Sequence, residues 1–351
     1  MWEDNVRKVE PYVPGEQPKV QNLIKLNTNE NPYPPAPKVR ERLLTLDYSD
    51  FRKYPDPTCD KLNAAVAKAY GLKQEKVFSG VGSDDVLATA FLTFFNSNKP
   101  VLFPDITYSF YDVWAKLYKI PFEQVPLNDD FTINVEDYLK ENGGIVIANP
   151  NAPTGAALPL SSIERIVKAN PDSVVIVDEA YVDFGAESAL PLIDKYENLL
   201  VVQTFSKSRS MAGLRIGLAF GCEKIIKYLN DVKYSINSYT MNMPSLELGC
   251  LAVEDEAYFK ETVSKVIKTR EWTKVELKKL GFTFADSKTN FIFAKHESKE
   301  RDYIFSELRK QNILVRAFNG ERIKDYMRIS IGTDEEMKRV IEVLKSIVGE
   351  V

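Results

Sequence analysis

The sequence predicts an α/β fold: a large domain on a mostly parallel sheet between helices, then a smaller α+β domain. Three observations carry this. Between residues 75 and 220 short strand-like runs alternate with helical segments. Runs such as Val174-Val175-Ile176-Val177 are apolar throughout, as strands covered on both faces require. At 351 residues the chain exceeds what one ordinary core fills.

The elements follow in order. Residues 1–35 read as an extended arm, because Asn27-Thr28-Asn29-Glu30-Asn31-Pro32 and Pro34-Pro35-Ala36-Pro37 lack periodicity. Residues 36–250 form the expected large domain. A short helix is expected over Val39 to Leu46, and a better one over Asp60 to Tyr70, stopped by Gly71. Strands are expected at 75–78, 101–103, 145–148, 174–177, 199–204 and 216–220. Helices are expected at 84–95 and 161–168, the second opening on Ser161-Ser162-Ile163-Glu164, a capping-box pattern. Residues 251–351 form the expected small domain: one long helix over 254–280 before Gly281, strands at 290–294, 313–317 and 327–331, and helices at 299–311 and 334–347.

Composition narrows the function. A net charge of -4 gives no basic field for nucleic acid or a membrane surface, so an anionic ligand has to be held by local groups. The start, Met1-Trp2-Glu3-Asp4, has no apolar run behind it and does not read as a signal peptide. No segment approaches the about 18 apolar residues of a membrane span. Three scattered cysteines, Cys59, Cys222 and Cys250, fit free thiols in a reducing, cytoplasmic compartment. The single histidine, His296, reads as a surface-loop residue. A Ser-His-Asp enzyme or a zinc site would have to lean on it, so no metal is expected and acid–base work falls to another group. A lysine joined to a carbonyl cofactor is a candidate.

Three motifs supply the groups. Gly80-Val81-Gly82-Ser83-Asp84-Asp85 follows a strand and opens a helix, which suits an anion at free N–H groups and equally an ordinary tight turn. It is neither a Walker A loop nor a dinucleotide fingerprint. Asp178-Glu179-Ala180-Tyr181 ends a buried strand, where a carboxylate either meets a cationic heteroatom or caps a helix. Thr204-Phe205-Ser206-Lys207-Ser208 ends the next strand, with Gly213-Leu214-Arg215 behind it. Together they bring an amine, a carboxylate and a guanidinium to one sheet edge, which suit an aldehyde, a pyridinium and a phosphate.

On these residues the chain resembles the fold-type I pyridoxal-phosphate aminotransferases, and within them the histidinol-phosphate aminotransferases. The resemblance runs nearly the whole length, in order: Leu26 to Tyr33, Tyr54-Pro55-Asp56-Pro57, Gly82-Ser83-Asp84, Tyr108, Asn149 to Gly155, Asp178 to Tyr181, Ser206-Lys207, Gly213-Leu214-Arg215 and Arg328 to Thr333. It implies a seven-stranded sheet in the large domain and pyridoxal 5'-phosphate carried by Lys207 as a Schiff base. By the same resemblance Asp178 pairs with the ring nitrogen, Tyr181 bonds the ring's phenolic oxygen, and Tyr108 stacks on the ring, although its neighbours Phe110 and Tyr111 read as core. Ser206, Arg215 and the backbone of Gly82, Ser83 and Asp84 hold the phosphate. Tyr54 reaches the neighbouring site of a homodimer. Arg328, assisted by Arg316, reads the anions of L-histidinol phosphate and of 2-oxoglutarate or glutamate, while Tyr12 and Asn29 or Glu30 close the site. One position departs from the family pattern, which usually reads Asn-Pro-Thr-Gly and uses that asparagine on the ring oxygen. Here Ala152 stands at that place in Asn151-Ala152-Pro153-Thr154-Gly155, so either Asn151 turns in or Tyr181 carries the contact alone. An aromatic amino-acid aminotransferase and a threonine-phosphate decarboxylase share the same scaffold, and a ligand-sensing protein without catalysis is the reading of another class.

Overall fold

The structure is a computed structural model that describes residues 1–349. The arm contributes one short strand, β1 (Ile24–Lys25). Behind it come α1 (Pro37–Thr45) and α2 (Asp60–Tyr70), the latter ended by Gly71 at φ +67° as the sequence requires. The sheet region then runs β2 (Val77–Gly80), α3 (Ser83–Phe94), β3 (Val101–Pro104), α4 (Phe110–Tyr118), β4 (Phe122–Val125), β5 (Gly144–Ala148), α5 (Leu160–Ala169), β6 (Val175–Asp178), β7 (Leu199–Thr204) and β8 (Gly217–Gly221).

These strands form one seven-stranded sheet in the order β2-β8-β7-β6-β5-β3-β4. Strand β8 is antiparallel to both neighbours and the other pairings are parallel. Alternation along each strand splits the apolar side chains between two cores. Ile145, Ile147, Val175, Val177 and Val201 face one layer with α2 and α5. Val146, Ala148, Ile176, Leu200 and Val202 face the other with α3 and α4. Burial on both faces is why these strands read as continuous apolar runs.

Helices α6 (Glu223–Ile236) and α7 (Met243–Glu254) follow, where the sequence pattern named no helix. The expected domain boundary at 250/251 falls inside α7, which packs on α1 and α2. The expected long helix is α8 (Glu256–Lys279); Asp255 breaks it from α7 and caps it, accepting from Tyr258 N at 3.3 Å. Then come β9 (Phe282–Phe284), β10 (Phe291–His296), α9 (Arg301–Lys310), β11 (Ile313–Leu314), β12 (Arg316–Ala317), β13 (Met327–Ser330) and α10 (Asp334–Val348). An antiparallel sheet, β12-β13-β10-β9, packs with α8, α9 and α10 around a third core that also takes in Leu26 of the arm.

Four local expectations are corrected. The Ser161 capping box does not form: Pro159 precedes α5 and no side chain caps it. The expected strand 313–317 is two short ones, β11 on the arm's β1 and β12 on β13. His296 ends β10 instead of sitting in a loop, and its Nδ1 accepts from the backbone N–H of Ser298 and Lys299. Strand β4 was not expected, because it is an edge strand with Glu123 and Gln124 exposed.

Candidate active site

The carboxyl ends of β6 and β7 open into a cavity of about 430 Å³. Parallel strands present their loops here, and the sequence loads these loops with polar groups. Asp178 is the last residue of β6, on the face that carries α4. Tyr111 of α4 donates its hydroxyl to Asp178 Oδ2 at 2.7 Å, and Ala180 N–H reaches Oδ1 at 3.2 Å. Burial pushes the Asp178 carboxyl up to about 6, against the pull of those two donors. Tyr111 is therefore more than core: it holds the carboxylate, a role that a run of three aromatics conceals.

Lys207 lies just past β7 and projects into the same cavity, its Nζ donating to Thr28 O at 3.2 Å and lying 5.6 Å from the Tyr181 ring centre. Tyr181 also lines the cavity, and its hydroxyl accepts from Asn29 Nδ2 at 2.8 Å. Tyr108 lines it too, and donates to Asp84 Oδ1 at 2.7 Å.

The floor at the other end is an anion cradle. Gly82 sits at φ +86° before α3, and no side chain caps the helix, so its first N–H groups stay open. Arg215 occupies the left-handed region at φ +53° and points its guanidinium at this turn. It reaches Ser206 Oγ at 3.4 Å and Asp84 Oδ2 at 3.3 Å. A Cβ on Gly82 would lie 2.4 Å from Arg215 Nη2, and one on Gly217 would lie 2.2 Å from the Gly82 carbonyl carbon. Both glycines are needed for this close approach.

A second lobe of about 240 Å³ shares Thr28, Tyr108, Tyr181 and Lys207 with the first. Arg316 of β12 and Arg328 of β13 both line it and are direct cross-strand partners. Two like charges opposite each other on one sheet face repel. Among the described residues neither forms an ion pair, although Glu16, paired with Arg309, lies near enough to Arg316 for that charge to help lower the Glu16 pKa. Arg328 is held between the Phe291 and Phe318 rings, donates to Asn27 O at 3.1 Å, and leaves its buried Nε without a partner. Burial pulls its guanidinium below the ordinary value. Tyr12 lines the lobe and stacks on Phe110 with ring centres 4.2 Å apart.

Of the remaining expected site residues, Asn29 and Glu30 line the lobes while Asn151 and Tyr54 do not. Asn151 does not turn into the cavity. Its Nδ2 donates to Ile106 O and Thr154 Oγ1 and its Oδ1 accepts from Thr107, so Ala152 faces the space instead. Tyr54 is outside both lobes; it is 80% exposed and stacks on Tyr239. Asn29 lines the second lobe and holds the Tyr181 hydroxyl, and Glu30 lines the first cavity while pairing with Lys25. Residues not expected are Thr28, through its carbonyl, Gln17 on both lobes, and Asn31, which donates to the carbonyls of Lys207 and Ser208. A backbone contact leaves no mark in residue type, which is why Thr28 was not legible.

The family model for aminotransferase class I and II matches residues 21–344. The chain belongs to that family. This aminotransferase is 51% identical to a histidinol-phosphate aminotransferase of Clostridium botulinum, over 99% of both chains. It is likewise 51% identical to one from Lactococcus lactis, over 98% of this chain and 97% of the other. Among solved structures, the histidinol-phosphate aminotransferase of Clostridium acetobutylicum superposes with a TM-score of 0.85 at 22% identity, covering 93% of this aminotransferase and 99% of that chain. That of Sinorhizobium meliloti, solved with pyridoxal-5'-phosphate, gives 0.83 at 24% identity, covering 92% and 91%. Those two likenesses establish the shared fold, a fold-type I aminotransferase with its mixed seven-stranded sheet.

Proposed function

We propose that this aminotransferase moves the amino group of L-histidinol phosphate to 2-oxoglutarate, giving imidazole acetol phosphate and glutamate, with pyridoxal 5'-phosphate held at Lys207. The geometric observation that carries the substrate class is the Arg316–Arg328 pair: two opposed guanidiniums, neither ion-paired among the described residues, in a lobe that opens beside Lys207. An anion between them relieves both the repulsion and the unpartnered Nε. The full-length relatives named for histidinol phosphate support the same reading.

The residues fit the cofactor. Lys207 Nζ is the amine for its aldehyde, Asp178 is a buried carboxylate placed for a ring nitrogen, and the Gly82–Ser83–Asp84 turn with Ser206 and Arg215 forms a cradle for its phosphate. When bound, the cofactor supplies an electron sink for the carbanion formed at the substrate carbon. Asp178 keeps the ring nitrogen protonated, and a cation there overcomes the burial that otherwise raises its own pKa. With the cofactor bound, Tyr181 would donate to its ring oxygen and Tyr108, which lines the same cavity, would cover the ring. Lys207 is the base for the proton that leaves the substrate carbon. Arg328 and Arg316 orient the donor phosphate and, in the return half, a carboxylate of the acceptor. Tyr12 and the arm exclude water over the lobe. Exposed Tyr54, outside its own site, supports a homodimer in which it reaches the neighbouring one. The three free cysteines support a reducing, cytoplasmic setting, and among the described residues no helix is long and apolar enough to cross a membrane.

The test is the isolated half-reaction. Mixed separately with L-histidinol phosphate and L-phenylalanine, the cofactor-loaded protein should lose its bound-cofactor absorbance fast with the first and slowly with the second. The reverse order would move it to the aromatic aminotransferases. Lys207→Ala should abolish turnover; wild-type rates in that variant would sink the assignment of the lysine.

A further inference from the structure

We infer that Asn29 is a positioning residue that fixes which way the Tyr181 hydroxyl points its proton, and so stands in for the side chain lost at Ala152. This rests on the cofactor reading above. Asn29 is buried, 1% exposed, and its backbone is at φ +57°, a left-handed conformation that asparagine tolerates better than most residues. Every polar group it owns is engaged. Its N–H donates to Ser330 Oγ at 3.0 Å, and its carbonyl accepts from Asn290 Nδ2 at 3.0 Å. Its side-chain Oδ1 accepts from Ser330 Oγ at 3.0 Å, and Nδ2 donates to Tyr181 Oη at 2.8 Å.

The pattern has one consistent direction. Ser330 Oγ accepts the Asn29 N–H, so its own hydrogen is free for Asn29 Oδ1. With Oδ1 taking that hydrogen, the amide presents its NH₂ end to Tyr181. A phenol that accepts a hydrogen bond there has its own O–H left to give elsewhere, and Tyr181 lines the cavity beside Lys207. Asn29 thus turns an ambivalent hydroxyl into a donor aimed at the cofactor's ring oxygen. An asparagine at position 152 would be a donor at that oxygen by itself; alanine is not. With Asn151 committed to Ile106 O, Thr154 and Thr107, ordering the Tyr181 proton is the remaining way to secure that contact. The anchors are on β13 and just before β10, so the arm carries the orientation across from the second sheet.

The experiment reads the pH midpoint at which the bound cofactor changes its absorbance, together with cofactor Kd. A donor on the ring oxygen drains its negative charge and weakens its hold on the neighbouring nitrogen's proton, so losing the donor raises the midpoint. Asn29→Asp presents an acceptor where the donor was and draws the Tyr181 proton away. It should raise the midpoint by about one pH unit and weaken cofactor binding about tenfold, as Tyr181→Phe should. Ser330→Ala, which touches neither the cofactor nor Tyr181, frees the amide to flip and should give a smaller shift of the same sign. In a Tyr181→Phe background Ser330→Ala should leave the midpoint where it was, and Asn29→Asp should add only the smaller shift of its charge. An unchanged midpoint in both single variants, or an equal added shift in the Tyr181→Phe background, overturns the role of Asn29. A wild-type protein that takes up no cofactor overturns the functional reading beneath it as well.

Discussion

Asp178 and Glu179 are consecutive carboxylates on opposite faces of the β6 end, and both are buried. Burial raises Asp178 from an ordinary 3.8 to about 6 and Glu179 from 4.5 to about 7. Glu179 takes donors from Ala189 N–H, Ser188 and Gln203, which anchor the loop after Tyr181. The sign of the linkage follows from the direction. Each folded-state pKa is raised, so the folded form binds the proton more tightly than the unfolded chain does. Stability of the cofactor-free protein therefore falls as pH rises from about 4 to about 7. Asp178→Asn should raise the thermal midpoint of the cofactor-free protein at pH 8, by up to about 3 kcal/mol of stability, while weakening cofactor binding. Calorimetry at pH 5 and pH 8 checks this, and an equal gain at both pH values would refute it. The motif Asp178-Glu179 was legible as a site, but not the division of labour between its members. Only strand alternation, with α4 on one side and the 186–189 loop on the other, assigns one carboxylate to the ligand and the other to the scaffold.

At the scale of elements, the β2–α3 turn works because two glycines and one left-handed arginine coincide. Gly82→Ala meets both a positive φ and the Arg215 guanidinium at 2.4 Å. The substitution should cost about 1–3 kcal/mol of stability and weaken binding of the phosphate-bearing cofactor more than that of its dephosphorylated analogue. Equal losses for the two would show that the cradle does not read phosphate. Helix α2 and the inner strands were legible because their signals are local: Gly71 stops α2, and apolar runs mark β5, β6 and β7, whereas α4, α6 and α7 were not named. What was not legible depends on partners far away in sequence. Strand β4 has only an edge position to define it, and β11 and β12 separate because their partners, β1 and β13, pull residues 313–317 into two sheets. Asp255 splits α7 from α8 at a point where the apolar pattern hardly changes.

For the whole molecule, the arm is the element that joins the parts. Between Asn27 and Asn31 it contacts Arg328, Lys207, Tyr181 and the chain after Lys207. Further out, Tyr12 lies over the second lobe while most of residues 1–14 is exposed. Starting the chain at Gly15 should leave the thermal midpoint nearly unchanged, because surface contacts of this kind contribute at most about 1 kcal/mol. The KM for the phosphate-bearing donor should rise about tenfold, with cofactor Kd within about threefold. A rise in cofactor Kd matching the rise in KM would mean that the outer arm supports the fold instead of the lobe. From sequence the arm read as extended, which its exposed portion is apart from a short 3-10 helix at Trp2–Asn5. Its buried portion was legible only through family resemblance, since asparagine-rich segments have no periodicity to read.

The pairing of Asn29 with Ser330 spans 301 positions of the chain. During synthesis the large sheet, with Lys207, Asp178 and the phosphate turn, is complete once β8 has emerged. The asparagine that orders Tyr181 is made before any of them, yet its fixing partners, Asn290 before β10 and Ser330 on β13, come after all of them. A nascent chain therefore owns a cradle well before it owns a finished site. A strand made after the whole large sheet is the one that lets a segment made before it settle into place.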